Sequence, residues 1–399
     1  MMLSTTKRNV VLLAVCQALL ATGNAVVITT SALAGQILAP EGLATMPLFL
    51  QFLAIMATAL PASFLMKRIG RQAGFSVGAC FAVVAGIAGC IAILFGSLWL
   101  FCFASIFYGV FMGFGMYYRF AAADVAEPAF RPRAISYVLA GGVVAAIAGP
   151  ELAKATSELL APALFAGCFI AIAILGAVTL LVLAFVTIPP PDEAERSGTE
   201  RPLGVIVKQP AFLVALGGAA IAQGAMVLVM TATPLAMAFC GHDFNDTAFV
   251  IQWHVLGMFA PSFFTGHLIS RFGTLNIMTS GAMLIIACLG IALSGVEIAQ
   301  FWLALFLLGI GWNFMFIGGT TLLTTTYAPA EKAKVQALND LLTFAVAALA
   351  SLSSGVLHHL IGWEAVSTSM ILPVFLMIIA ILWLRHYQAK ESESMTRPA

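Results

Sequence analysis

Apolar residues recur along this chain in runs of about 20 with few charges among them, the length an α-helix needs to cross the hydrocarbon core of a bilayer. No other feature constrains the fold as much. Twelve such spans are predicted, at residues 10–32, 45–66, 73–95, 98–122, 134–158, 162–187, 209–237, 246–268, 275–295, 298–325, 337–359 and 364–386. The chain is 61% apolar and 9% charged, whereas soluble domains carry roughly 25% charge. That excludes an ordinary soluble domain, which needs far more polar surface. In lipid a helix satisfies its own backbone groups, so the expected fold class is an all-α polytopic membrane protein.

One long polar run interrupts the pattern between the termini. Pro189-Pro190-Pro191 is followed by Asp192, Glu193, Glu195, Arg196, Ser197-Gly198, Glu200, Arg201 and Pro202. Prolines deny this stretch a helix interior, and its charge denies it a core. Residues 188–208 therefore read as an exposed linker between bundles at 1–187 and 209–386, with a tail at 387–399. With these spans, 17 of the 18 Lys and Arg fall on one side of the membrane, Lys154 being the exception. The positive-inside rule then places both termini and the linker in the cytoplasm. An odd number of spans would scatter these charges over both faces.

The net charge of +1 gives no argument for a nucleic-acid partner. Cysteines at 16, 80, 90, 102, 168, 240 and 288 lack ligand spacing, so no metal site or disulfide framework is expected. Lys7-Arg8 ahead of an apolar run, with Ala32-Leu33-Ala34 after it, resembles a signal peptide. The run is too long for one and reads as the first span.

The two halves share landmarks. Ser63-Phe-Leu-Met-Lys67-Arg68-Ile69-Gly70-Arg71 closes span two, and Gly266-His-Leu-Ile-Ser270-Arg271-Phe272-Gly273-Thr274 closes span eight, 203 residues later. Pro128, Arg131 and Arg133 follow span four; Pro329, Lys332 and Lys334 follow span ten at an offset of 201. Two markers at nearly one offset point to internal duplication.

Six plus six spans, a middle linker and a basic Arg-x-Gly loop after spans two and eight resemble the major facilitator superfamily. Its loop pattern is G-x-x-x-D-R-x-G-R. The first copy matches at Arg68, Gly70 and Arg71, with Ser63 and Lys67 replacing the Gly and Asp; the second matches at Gly266, Arg271 and Gly273, with Ser270 replacing the Asp. The resemblance implies two pseudo-symmetric six-helix bundles that rock about a central site, lined by spans one, four, seven and ten, with those six residues in gating loops. Within the superfamily, the Tyr117-Tyr118-Arg119-Phe120 run and the Gly141-Gly142…Gly149-Pro150-Glu151 stretch resemble bacterial riboflavin transporters. The function implied is uptake of riboflavin across a bacterial inner membrane. Efflux or exchange of another small organic molecule, such as a drug or siderophore, and a sensor that does not translocate are the alternatives.

Candidate substrate-binding residues follow from polar and aromatic side chains inside spans, which are costly there and usually face a cavity or another helix. Gln17, Asn24 and Ser31, spaced i, i+7, i+14, share one face of span one. Span four carries Tyr117. Gln223 lies in span seven, Gln252, Trp253 and His254 in span eight, and Trp312 and Asn313 in span ten. Aromatics with amide and imidazole partners suit a flat, uncharged, hydrogen-bonding solute; the same residues also serve as packing. Glu151 and Lys154, i and i+3 in span five, are candidates for proton coupling or a structural ion pair.

Catalytic constellations are missing. No Lys follows a Gly, which rules out a Walker A loop, and HExxH does not occur. The chain is expected to be no enzyme, to carry no cofactor, and to work as a monomer in a lipid bilayer on a small-molecule substrate.

Overall fold

The computed structural model of the chain describes residues 5–39, 42–125, 131–188, 201–328 and 331–396. The described residues form helices joined by short turns. Seven precede the expected linker: α1 (Thr5–Leu38), α2 (Met46–Ile69), α3 (Arg71–Leu94), α4 (Leu98–Gly115), α5 (Tyr118–Val125), α6 (Arg131–Thr156) and α7 (Ala166–Leu183). One turn of helix, α8 (Leu203–Ile206), lies within it. After it come α9 (Pro210–Phe239), α10 (Phe244–Phe259), α11 (Ser262–Phe272), α12 (Thr274–Ala292), α13 (Ile298–Leu323), α14 (Lys332–Leu360), α15 (Trp363–Ser369) and α16 (Ile371–Thr396). Residues 189–200 of the linker and the prolines at 128 and 329 lie outside the described residues.

Among the described residues, ten helices are long and apolar enough to cross a membrane, or eleven if the bent pair α10–α11 is one span. The expected twelve differ from that count by α6, a helix of 26 residues. Three expected spans are broken. Span four divides into α4 and α5, and span twelve into α15 and α16. Span eight bends by 43° between α10 and α11. Pro261 stands at that bend, where its ring and missing N–H disrupt the regular hydrogen-bond ladder. At the other end, α16 continues to Thr396, through most of the segment expected to be a tail.

Helix pairing repeats from one half to the other. In the first set, α1 packs on α6 and α7, α3 on α4 and α7, and α2 on α4. In the second, α9 packs on α14 and α16, α12 on α13 and α16, and α10 on α13. Span for span, these are the same five pairs. The sets meet through α2 against α14 and α6 against α10, which exchange under the same correspondence.

Two pairs of glycines carry the repeat down to backbone detail. Gly70 joins α2 to α3 at φ 85°, ψ 156°, and Gly273 joins α11 to α12 at φ 86°, ψ 150°. That region is essentially closed to residues with a Cβ, so the Gly of each Arg-x-Gly loop is required by the turn. A Cβ at Gly109 of α4 would strike the Gln51 carbonyl of α2, and one at Gly309 of α13 would strike the His254 carbonyl of α10. Small residues let helices touch backbone to backbone, which strengthens dispersion where no hydrophobic effect acts between helices.

Candidate substrate site at the seam between the helix sets

Trp312 of α13 anchors a cluster that faces the seam. Its indole Nε1–H donates to Gln223 Oε1 on α9 at 2.9 Å. One turn further, Phe316 stacks on the indole with centroids 4.8 Å apart and planes 15° apart. Phe259, the last residue of α10, meets the other edge at 6.4 Å and 69°. A Cβ at Gly142 of α6 would lie 2.9 Å from the Phe259 ring, so the cluster borders the first helix set. From that set, Phe52, Ile55 and Ala146 share one hydrophobic core with the second. Gln51 of α2 donates its Nε2–H to Asn24 Oδ1 of α1 at 3.3 Å. Its own Oε1 is buried without a hydrogen-bond partner. Tyr117, at the break between α4 and α5, donates its hydroxyl to Ala59 O of α2 at 2.7 Å. Gln17 is half-buried lower on α1.

Aromatic faces beside side-chain amides at a two-set seam make a surface on which a flat solute stacks while its polar edge is bonded. Comparison with known proteins gives the family. The family model described as Major Facilitator Superfamily matches residues 10–239 and 219–397. The chain belongs to the major facilitator superfamily. The riboflavin transporter RfnT of Brucella anthropi is 40% identical over 382 residues, covering 95% of this chain and 96% of that one. The uncharacterized transporter YddS of Bacillus subtilis is 30% identical over 388 residues, covering 91% and 88%. Among solved structures, the human organic anion transporter MFSD10 superposes with a TM-score of 0.66, covering 95% of this chain and all of that one. At 14% identity that likeness carries the fold alone. As a member of this superfamily, the chain is a multi-pass membrane transporter of small solutes and not an enzyme.

The remaining candidate residues sit elsewhere in this transporter fold. His254 is fully buried, and its Nδ1–H donates to Leu305 O at 2.7 Å, joining α10 to α13. Asn313 is fully buried too. Its Nδ2 donates to Met258 O at 2.6 Å and Ser262 Oγ at 2.7 Å, and its Oδ1 accepts from Thr265 at 2.7 Å. These bonds clamp α13 to both sides of the bend at Pro261. Trp253 sits with Phe249, Trp302 and Phe306, at centroid distances of 6.3, 5.8 and 5.7 Å. Gln252 beside it is half-buried. The structure thus separates Trp312 and Gln223 from His254 and Asn313, which hold helices together.

Glu151 and Lys154 form an ion pair of 2.9 Å with side chains 54% and 23% exposed. Arg68 is exposed and Arg71 half-buried. Arg271 is exposed, its guanidinium 5.3 Å from the Phe272 ring centroid; Gly266 is exposed as well. Arg119 of α5 and Asp340 of α14 interact electrostatically across the two sets. That pairing, and the parts played by Phe259, Phe316 and Gln51, were not among the residues read from the sequence. Only Phe316 left a signal, its i+4 spacing from Trp312.

Proposed function

We propose that this transporter imports riboflavin across a bacterial inner membrane by alternating access. Residues 1–187 and 209–386 act as two six-helix bodies, with α6 as the twelfth span, the 188–208 segment as a cytoplasmic linker and both termini cytoplasmic. The observation that carries the substrate is the 40% identity, over 95% of this chain, to the Brucella transporter named for riboflavin. The chemistry at the seam supports it. An isoalloxazine ring is flat and uncharged, with an apolar xylene edge for Trp312, Phe316 and Phe259 and a pyrimidine edge that both donates and accepts hydrogen bonds, as Gln223 and Asn24 do. The matching of α2–α14 with α6–α10 supports rocking, since both contacts exchange under the repeat. The protein is taken to act as a monomer surrounded by lipid.

Growth of a riboflavin auxotroph lacking its own uptake system tests this reading. Expression of the chain should restore growth at limiting riboflavin, and purified protein in liposomes should show riboflavin counterflow. Protein that reaches the membrane yet gives neither result overturns the assignment.

A further inference from the structure

A cavity of about 770 Å³ opens at the end of the bundle away from the Gly70 and Gly273 loops. Its size lies within the range of about 300–1,000 Å³ typical of small-molecule sites. One wall is the first set's connection between α1 and α2, at Gln36, Ala39, Gly42 and Ala44; the others come from the ends of α9, α14 and α15. It shares no residue with the Trp312 cluster, and Phe239 at its mouth lies 16 residues beyond Gln223 on α9, roughly 24 Å along the helix.

We propose that this cavity is an outer capture site for the transported solute, binding an uncharged heteroaromatic molecule before it reaches the Trp312 cluster. The proposal rests on the riboflavin reading above. The walls combine the two kinds of surface such a molecule needs. Trp363 is held as a fixed apolar wall, its Nε1–H donating to Ala292 O at 2.9 Å. Phe239 stands 84% exposed, edge-on to His358 at 6.2 Å, an aromatic ring with its face uncovered. An aromatic guest covers that face and gains contact area at little entropic cost. Gln36, His358 and His359 supply donors and acceptors, and Glu364 supplies a carboxylate. Among the described lining residues there is no Lys or Arg. The site therefore favours a neutral ligand and disfavours a phosphorylated one. Because its walls belong to both helix sets, rocking of the sets reshapes it and releases what it holds.

Cys240 lines the cavity and is exposed; the other exposed free cysteine among the described residues is Cys80. In cells expressing the Cys80→Ser protein, a membrane-impermeant maleimide added outside should label Cys240. Riboflavin should slow that labelling, riboflavin 5′-phosphate should not, and the riboflavin effect should persist in a Trp312→Ala background. Phe239→Ala should raise the KM of uptake about 3- to 10-fold, the worth of one aromatic contact, at unchanged maximal rate. Labelling that fails from outside, or that riboflavin leaves unchanged while uptake is intact, overturns the outer site. So does protection that vanishes with Trp312→Ala, because it then reports closure driven from the inner site. Loss of riboflavin uptake in the parent protein instead overturns the transport reading on which the site rests.

Discussion

Arg201 grips Glu331 through a forked pair of bonds, Nε to Oε1 at 2.7 Å and Nη2 to Oε2 at 2.6 Å. The Arg201 backbone N–H adds a third bond to Oε1 at 2.8 Å, and the Ala328 N–H a fourth to Oε2 at 2.8 Å. Lys334 closes the clasp by donating to Arg201 O at 2.6 Å. The residues are 130 positions apart, one within the expected linker and one beside the start of α14. A segment read from its prolines and charge as an exposed linker is tied, at its second end, to the turn after α13.

The clasp sets a pH dependence. Hydrogen bonds from the Arg201 guanidinium first, and from the Ala328 N–H next, lower the Glu331 pKa from 4.5 to about 2. A carboxylate whose folded pKa is depressed contributes stability that is complete above its unfolded pKa and fades as pH falls toward the folded one. Thermal stability should thus show no loss from this group between pH 8 and 5 and should lose its contribution between about pH 4.5 and 2. Glu331→Gln should lower the melting temperature at pH 7 and flatten that acid limb. Adding Arg201→Ala to Glu331→Gln should cost little more, because one interaction has already gone. Melting curves of the two single variants and the double variant give the comparison.

Gly70→Ala and Gly273→Ala should each destabilise the protein by about 1–3 kcal/mol, the cost of forcing a Cβ into this backbone region. Neither position has an atom within 4 Å of the added Cβ, so the penalty is backbone strain without a clash. The two sites lie in different helix sets, and their effects should add. Equal losses from equivalent positions, read as melting shifts, are the energetic signature of the duplication. A harmless Gly273→Ala would break it.

The spans, the repeat and the two Arg-x-Gly turns were legible because each is written in local sequence: runs of fixed length, a fixed offset, and a glycine where only glycine fits. The site was legible in its chemistry but not in its facing. Trp312 and Asn313 are neighbours, and nothing in the chain says which looks toward the seam. A helix that is apolar on all sides has no polar face to mark its rotation, so packing alone decides it. Phe259 and Gln51 join the site only through contacts between helices, and the Arg201–Glu331 clasp spans too much chain for any spacing rule. The break at Pro261 left a mark, since proline disrupts a helix. So did that between α15 and α16, with Pro373 in the first turn of α16.

Adjacent residues on α13 should behave oppositely. Trp312→Phe keeps a ring against Phe316 and Phe259 but removes the bond to Gln223. A lost neutral hydrogen bond is worth about 0.5–1.5 kcal/mol, so the KM for riboflavin should rise about 2- to 10-fold. Asn313→Ala strands the Ser262 hydroxyl and the Met258 carbonyl, while Thr265 keeps its bond to Pro261 O. It should cost about 1–2 kcal/mol of stability and leave the KM of the folded fraction unchanged. Uptake kinetics beside melting curves separate the two. A KM effect from Asn313 with normal stability would move it into the substrate site.

Glu151 should be dispensable for energy coupling. It is 54% exposed and bonded only to its helical neighbour Lys154, and exposed pairs of this kind contribute about 0–1 kcal/mol. A coupling carboxylate must change its surroundings as the helix sets rock, and a solvated acid on one helix does not. Asp340 does meet that condition, because its partner Arg119 belongs to the opposite set. Riboflavin uptake into membrane vesicles should therefore be the same for Glu151→Gln and the parent protein, with and without a protonophore. Asp340→Asn should slow uptake. If Glu151→Gln alone abolishes the response to the protonophore, coupling belongs to the Glu151 end of α6 and not to the Arg119–Asp340 contact.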